Sequence, residues 1–91
     1  MTLLDDHRRT DWTPRMHRRH EIVTTGGLAG ALTVGHVLRS CGYQVRDFSV
    51  DVREGVPYSS VTCTVSLSAE ETETFAERLR AVPEVVAVDP F

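Results

Sequence analysis

Between residues 20 and 90 the apolar residues change spacing in a fixed order: a short β-rich run, a helical stripe, two alternating runs, a second helical stripe and a closing run. A spacing of two lines one face of a sheet and a spacing of three to four lines one face of a helix. The order therefore commits the chain to β-α-β-β-α-β, because each run must bury its apolar side against the others.

The first run, "HEIVTT" at residues 20–25, ends at Gly26-Gly27. From there Leu28, Ala31, Leu32, Gly35 and Leu38 recur at helical spacing, widened by Val34, Val37 and Cys41. Gly42 can take the left-handed conformation that closes a helix, and Arg39 suits the negative end of the helix dipole. In "QVRDFSVDVREG" Phe48, Val50 and Val52 alternate with Asp47, Ser49 and Asp51, and in "YSSVTCTVSL" Val61, Cys63, Val65 and Leu67 alternate with Thr62, Thr64 and Ser66. Both are half-buried strands, and the short "REGVP" between them predicts an antiparallel hairpin.

Ser68 and Glu71 have the spacing of a capping box, with Glu70 and Glu73 nearby at the positive end of the dipole and Arg78 and Arg80 at the other. The second helix carries Phe75, Ala76, Leu79 and Val82 on one stripe and stops before Pro83. Val85, Val86 and Val88 supply the last strand. The predicted fold is α+β and ferredoxin-like, a four-stranded antiparallel sheet with both helices on one face. Phe48, Val50, Val52, Val61, Cys63, Val65 and Leu67 are expected beneath the helices, and Ser49, Asp51, Thr62, Thr64 and Ser66 on an open polar face.

Charge divides the chain. Residues 1–20 hold five arginines against three aspartates, a formal +2, whereas residues 21–91 hold five arginines against ten carboxylates, a formal −5. The aperiodic start, residues 1–19 with Pro14, is expected to be a basic, loosely docked extension ahead of a folded domain at 20–91. Use of that arm on nucleic acid is disfavoured, since the acidic body would repel the same backbone. No apolar run reaches the roughly 18 residues of a membrane span, and the charged start lacks a signal-peptide core, so a cytoplasmic protein is expected. Cys41 and Cys63 make neither a C-x-x-C pair nor a metal spacing, and both are expected as reduced core residues. A single domain of 91 residues buries only about 60% of its unfolded surface and gains from a partner subunit.

A ferredoxin-like fold does not specify a function, so the residues must. The open face offers no aromatic platform for RNA bases, and the first loop has no thiolate pair for metal transfer. Counting from Gly26, Leu28 and Ala31 stand where a dinucleotide fingerprint needs glycine, and a chain without lysine has no Walker motif. His17 and His20 would share a face only on a helix, and the arginines around them would repel a dication. No nucleophile and base can be assembled around His36, which is expected to be packed or partly exposed. No catalytic, metal or cofactor site is expected.

"GGLAGALTVGHVLRSCGYQVRDFSVDV", "SSVTCTVSL" and "FAERLRAVPEVVAVDP" resemble an ACT domain, the small βαββαβ regulatory module of amino-acid metabolism. The resemblance covers roughly residues 20–90 and rests on Gly27 and Leu28 opening the first helix, on the glycine that closes it at residue 42, and on the "LRAVPEVVAV" ending. In length the chain is similar to small stand-alone subunits of acetolactate synthase and to the ACT-like C-terminal domain of MgtC-type membrane proteins. The resemblance implies a non-catalytic module that pairs with itself as a homodimer or higher oligomer and holds an amino acid at the interface. By position, Gly26, Gly27 and Leu28 would present backbone N–H groups to a ligand carboxylate, and Asp47 or Ser49 of a neighbouring copy would receive the amine. The chain departs from the family pattern at Thr24-Thr25-Gly26, where an acidic residue or asparagine with a proline is usual. The alternatives are an accessory subunit that docks on a larger enzyme or membrane protein without a small ligand, and a glycine turn that only starts a helix.

Overall fold

The computed structural model describes residues 15–90. Strand β1 (Arg15–Thr24), helix α1 (Gly27–Ser40), strands β2 (Val45–Asp51) and β3 (Ser59–Ser68), helix α2 (Ala69–Arg80) and strand β4 (Val85–Pro90) follow in that order. The sheet is antiparallel with strand order β2-β3-β1-β4, the ferredoxin-like topology. Residues 1–14 of the expected extension lie outside the described residues. Residues 15–19 of it do not behave as an extension, since every residue of β1 from Arg15 onward pairs with β3. Their polarity hid the strand: the helix-side positions there hold Met16, 58% exposed, and half-buried Arg18 instead of buried apolar residues.

The core lies between sheet and helices and consists of Ile22 of β1, Ala31, Val34 and Leu38 of α1, Val61, Cys63, Val65 and Leu67 of β3, Phe75 and Leu79 of α2, and Val88 of β4. Burying a side chain of this size is worth roughly 1.5–3 kcal/mol. The alternation of β3 is as expected, every second residue buried and Thr62, Thr64 and Ser66 half-exposed on the open face. Cys63 is buried, with its thiol pushed up to about 11 by desolvation. Cys41, expected in the core, is exposed at the C-terminal cap of α1.

Strand β2 corrects the sequence reading. Phe48 is 39% and Val52 44% exposed, and Val50 is only half-buried. The cause is position, because β2 is an outer strand with α1 covering one side alone. It is also bulged: between the pairs Arg46↔Thr64 and Ser49↔Thr62 the strand carries one extra residue, and Asp47 there adopts φ +51°. The bulge lets both Val45 and Val50 pack toward the core despite their odd separation, and it seats the Phe48 ring against Gly35 of α1.

The buried side of α1 is Gly30, Ala31, Val34 and Leu38, rotated from the expected stripe, so Leu28 and Leu32 are 56% and 57% exposed. Gly30 sets that rotation, since the helix backbone comes so close to the Thr25 carbonyl that only a residue without Cβ fits. Helix α2 has the predicted capping box: Glu71 N–H donates to Ser68 Oγ (3.2 Å) and Ser68 N–H to Glu71 Oε1 (3.0 Å). Arg15 pairs with the same carboxylate at 2.9 Å and ties the start of β1 to this cap. The backbone bond from Ser68 is the main reason the Glu71 carboxyl titrates below its ordinary range.

Candidate functional site

The two helix N-termini among the described residues are built differently. At α2 a serine and two first-turn glutamates satisfy and neutralise the positive end. At α1 the N-cap is Gly26 in the left-handed conformation, φ 83°, with no side-chain cap and no acidic residue in the first turn. A bare N-terminus concentrates unsatisfied N–H groups and about half a positive charge. It is held rigidly: Thr25 N–H donates to the Glu84 carbonyl at 2.8 Å, Gly30 N–H reaches Gly26 O at 3.3 Å, and Gly30 packs on Thr25. Gly26, Gly27 and Leu28 are thus together at one end of the sheet, with the Leu28 side chain turned to solvent.

Asp47 and Ser49 are elsewhere in the same chain. Ser49 pairs with Thr62 on β3, three residues along from Ser59, the partner of Thr24 at the end of β1. Since β3 also separates β2 from β1, one chain does not bring these two residues to the glycine turn. Asp47 projects from the bulge on the outer strand and Ser49 lies on the open face, both exposed.

Two clefts escaped the sequence reading. One of about 410 Å³ opens between α1 and β2 and is lined by Gly35, Leu38, Arg39, Tyr43, Val45 and Phe48. The other, about 370 Å³, is polar and lies beside the end of α1, between Arg15, Glu71 and Arg78. The Arg78 guanidinium donates to Tyr43 Oη at 3.4 Å there and sits 6.0 Å from the ring centre. Neither was legible in the sequence, because each depends on how α1 is rotated over the sheet.

His17 and His20 fall on a strand and so on opposite faces of the sheet, which separates the two nitrogen ligands considered above. Among the described residues no three His, Cys, Asp or Glu side chains gather as a metal site would require. His20 is buried, its ring 4.8 Å from that of Phe75, and its Nδ1 has no partner. Burial lowers its pKa first of all, the nearby Arg18 backbone acts in the opposite direction, and the Arg18 charge lowers it further. The unfolded chain therefore takes up this proton near the ordinary value of about 6.5, and the folded chain only at lower pH. Stability from neutral His20 is complete above that value and is lost as pH falls through it. The midpoint of thermal unfolding should drop between about pH 7 and about pH 5, and His20→Leu should flatten that slope. An equal slope in the variant would assign the acid sensitivity to other groups.

No protein-family model matches the sequence. No curated protein matches it either. Among solved structures, the solution structure of the ACT domain from the GTP pyrophosphokinase of Chlorobium tepidum matches with a TM-score of 0.73 and 13% identity, over 85% of this chain and 86% of that one. The crystal structure of the same domain gives 0.66 and 15% identity, over 86% of this chain and 100% of that one. With element order, strand order and helix placement in agreement, the chain has the fold of an ACT domain.

Proposed function

We propose that the chain is a non-catalytic regulatory module that binds a small molecule of amino-acid type and acts as an oligomer. The observation that carries this reading is the uncapped, acid-free glycine N-terminus of α1 in a molecule that caps its other helix fully. A ligand carboxylate would occupy the N–H groups at Gly26, Gly27 and Leu28 and lie at the positive end of the dipole. The amine would meet Asp47 or Ser49 of a second copy, because one chain keeps them apart from the turn. Leu28, Leu32 and Phe48 are exposed, and with Gly35 beneath Phe48 the helix side that borders β2 is apolar, a surface suited to burial against a partner.

That surface also favours a second reading, an accessory subunit that docks on a larger enzyme or membrane protein with no small ligand. Sedimentation together with thermal unfolding against the twenty amino acids separates them. The first reading expects a self-associated chain, dissociated by Leu32→Glu. It also expects one amino acid or a related few, at about 100 times the dissociation constant, to add about 2.7 kcal/mol and raise the midpoint by roughly 10 °C or more. A flat panel with a monomeric chain would overturn it in favour of the docking subunit.

A further inference from the structure

Strand β1 begins at Arg15, which lines the polar cleft of about 370 Å³ and pairs with Glu71 at 2.9 Å. That cleft and the apolar one of about 410 Å³ between α1 and β2 share one wall, Tyr43. The Tyr43 ring is held from two sides: it stands edge-on to Phe75 at 5.1 Å, and its hydroxyl accepts from Arg78 at 3.4 Å. Beyond it the apolar cleft is bounded by Leu38, Val45 and Phe48, with no side chain at Gly35 to fill the space beside the Phe48 ring. Arg15 and Arg78 are thus engaged, by Glu71 and Tyr43. Arg39 also lines the apolar cleft, is exposed, and forms no ion pair among the described residues. An apolar slot with a free cation beside it therefore opens next to the place where the chain enters the sheet.

We propose that this cleft is the seat of the chain's own Trp12, with Asp11 beside Arg39. Trp12 precedes Arg15 by three residues, and Pro14 between them favours extended backbone at Thr13, so the span approaches its limit of about 10 Å. The chain crosses the polar cleft in that span, and the indole reaches past Tyr43. An indole suits the slot because its rings are apolar while its N–H can stay at the open side. Charge favours the same seat. By side chains, Arg15, Arg39 and Arg78 against Glu71 give the two clefts a formal +2, and residues 1–14 hold three aspartates against Arg8 and Arg9, a formal −1. The tether selects the occupant: a group three residues away is present at millimolar effective concentration, which a free molecule or a second copy must exceed. Leu28 and Leu32 lie earlier on α1 and stay uncovered, so the inference is independent of the glycine turn and any ligand there.

The test is fluorescence of the full chain, in which Trp12 is the only tryptophan and reports this position alone. The expected result is emission to the blue of the urea-unfolded chain and acrylamide quenching several-fold weaker than in that state. Phe48→Ala removes one wall of the cleft and should raise quenching toward the unfolded level, with circular dichroism showing that the variant folds. Arg39→Glu leaves the walls in place and should also raise it, and adding Asp11→Arg to that variant should restore the protection. Leu28→Ala, on the same helix but outside the cleft, should leave quenching unchanged. Native emission and quenching equal to those of the unfolded chain would overturn the proposal. So would protection that survives both Phe48→Ala and Arg39→Glu, or protection lost on dilution, which would assign the cleft to a second copy.

Discussion

Replacing Gly30 by alanine should destabilise the domain by about 3 kcal/mol or more and lower the unfolding midpoint by roughly 12 °C or more, the severe end of overpacking. On an exposed helix the same change stabilises by up to about 1 kcal/mol through helix propensity. Here the added Cβ would run into the Thr25 carbonyl oxygen and come within 3.0 Å of its carbon, and neither backbone atom can swing aside. Relief requires lifting the first turn of α1, which strains the Thr25–Glu84 bond and opens the contact of Ala31 and Val34 with the core. Gly35→Ala is the matched control, because its Cβ would come within 3.3 Å only of the Phe48 ring tip. That ring is 39% exposed and can turn, so the net change should stay within about 1 kcal/mol of zero. Urea unfolding followed by circular dichroism decides between them. Equal stabilities for the two variants would mean that α1 does not approach β1 as closely in solution.

Phe75→Ala carries the other large effect. Phe75 is fully buried, with its ring tilted against His20 at 4.8 Å and edge-on to Tyr43 at 5.1 Å, so it joins α2, β1 and the segment between α1 and β2. Truncation of a buried phenylalanine costs about 3–5 kcal/mol, a large share of the roughly 5–15 kcal/mol that holds a domain together. A second consequence distinguishes loss of this ring from a general loosening. Water admitted beside His20 would remove much of the burial that lowers its pKa, so the stability lost between about pH 7 and about pH 5 should shrink in the variant. A cost near that of a surface substitution, or an acid slope as steep as in the parent chain, would contradict this placement of the ring. Cys63 acts at the other end of the pH range: its raised pKa favours the fold below the ordinary thiol value, and this contribution is lost as pH rises toward about 11.

The elements themselves were legible because each announces itself within a few residues. Alternation along β3, the Ser68–Glu71 box and the glycine at position 42 are local patterns, and local sterics and hydrogen bonds are sufficient to produce them. Element order then restricts the topology to the ferredoxin-like arrangement found, since the apolar faces have few ways to meet. The site was legible only in part. The glycine turn could be placed at the start of α1, but its lack of a cap has meaning only beside the fully capped α2, and the separation of Asp47 and Ser49 from it follows from strand order.

Other properties were decided by contacts between residues far apart in the chain. The strand character of residues 15–19 comes from their pairing with β3, whose ten residues offer hydrogen bonds to polar and apolar partners alike. The exposure of Phe48 and Val52 comes from the position of β2 at the sheet margin and from the bulge at Asp47. The rotation that uncovers Leu28 and Leu32 comes from Gly30 against the Thr25 carbonyl, a contact that apolar spacing cannot register because glycine contributes no side chain to it. The meeting of the two clefts at Tyr43, with Arg15, Glu71 and Arg78 beside it, requires both helices to be laid over the sheet in one arrangement. Periodicity reports which residues share a face of their own element; which faces are covered, and which charges become neighbours, is set by backbone pairing and close packing across the whole chain.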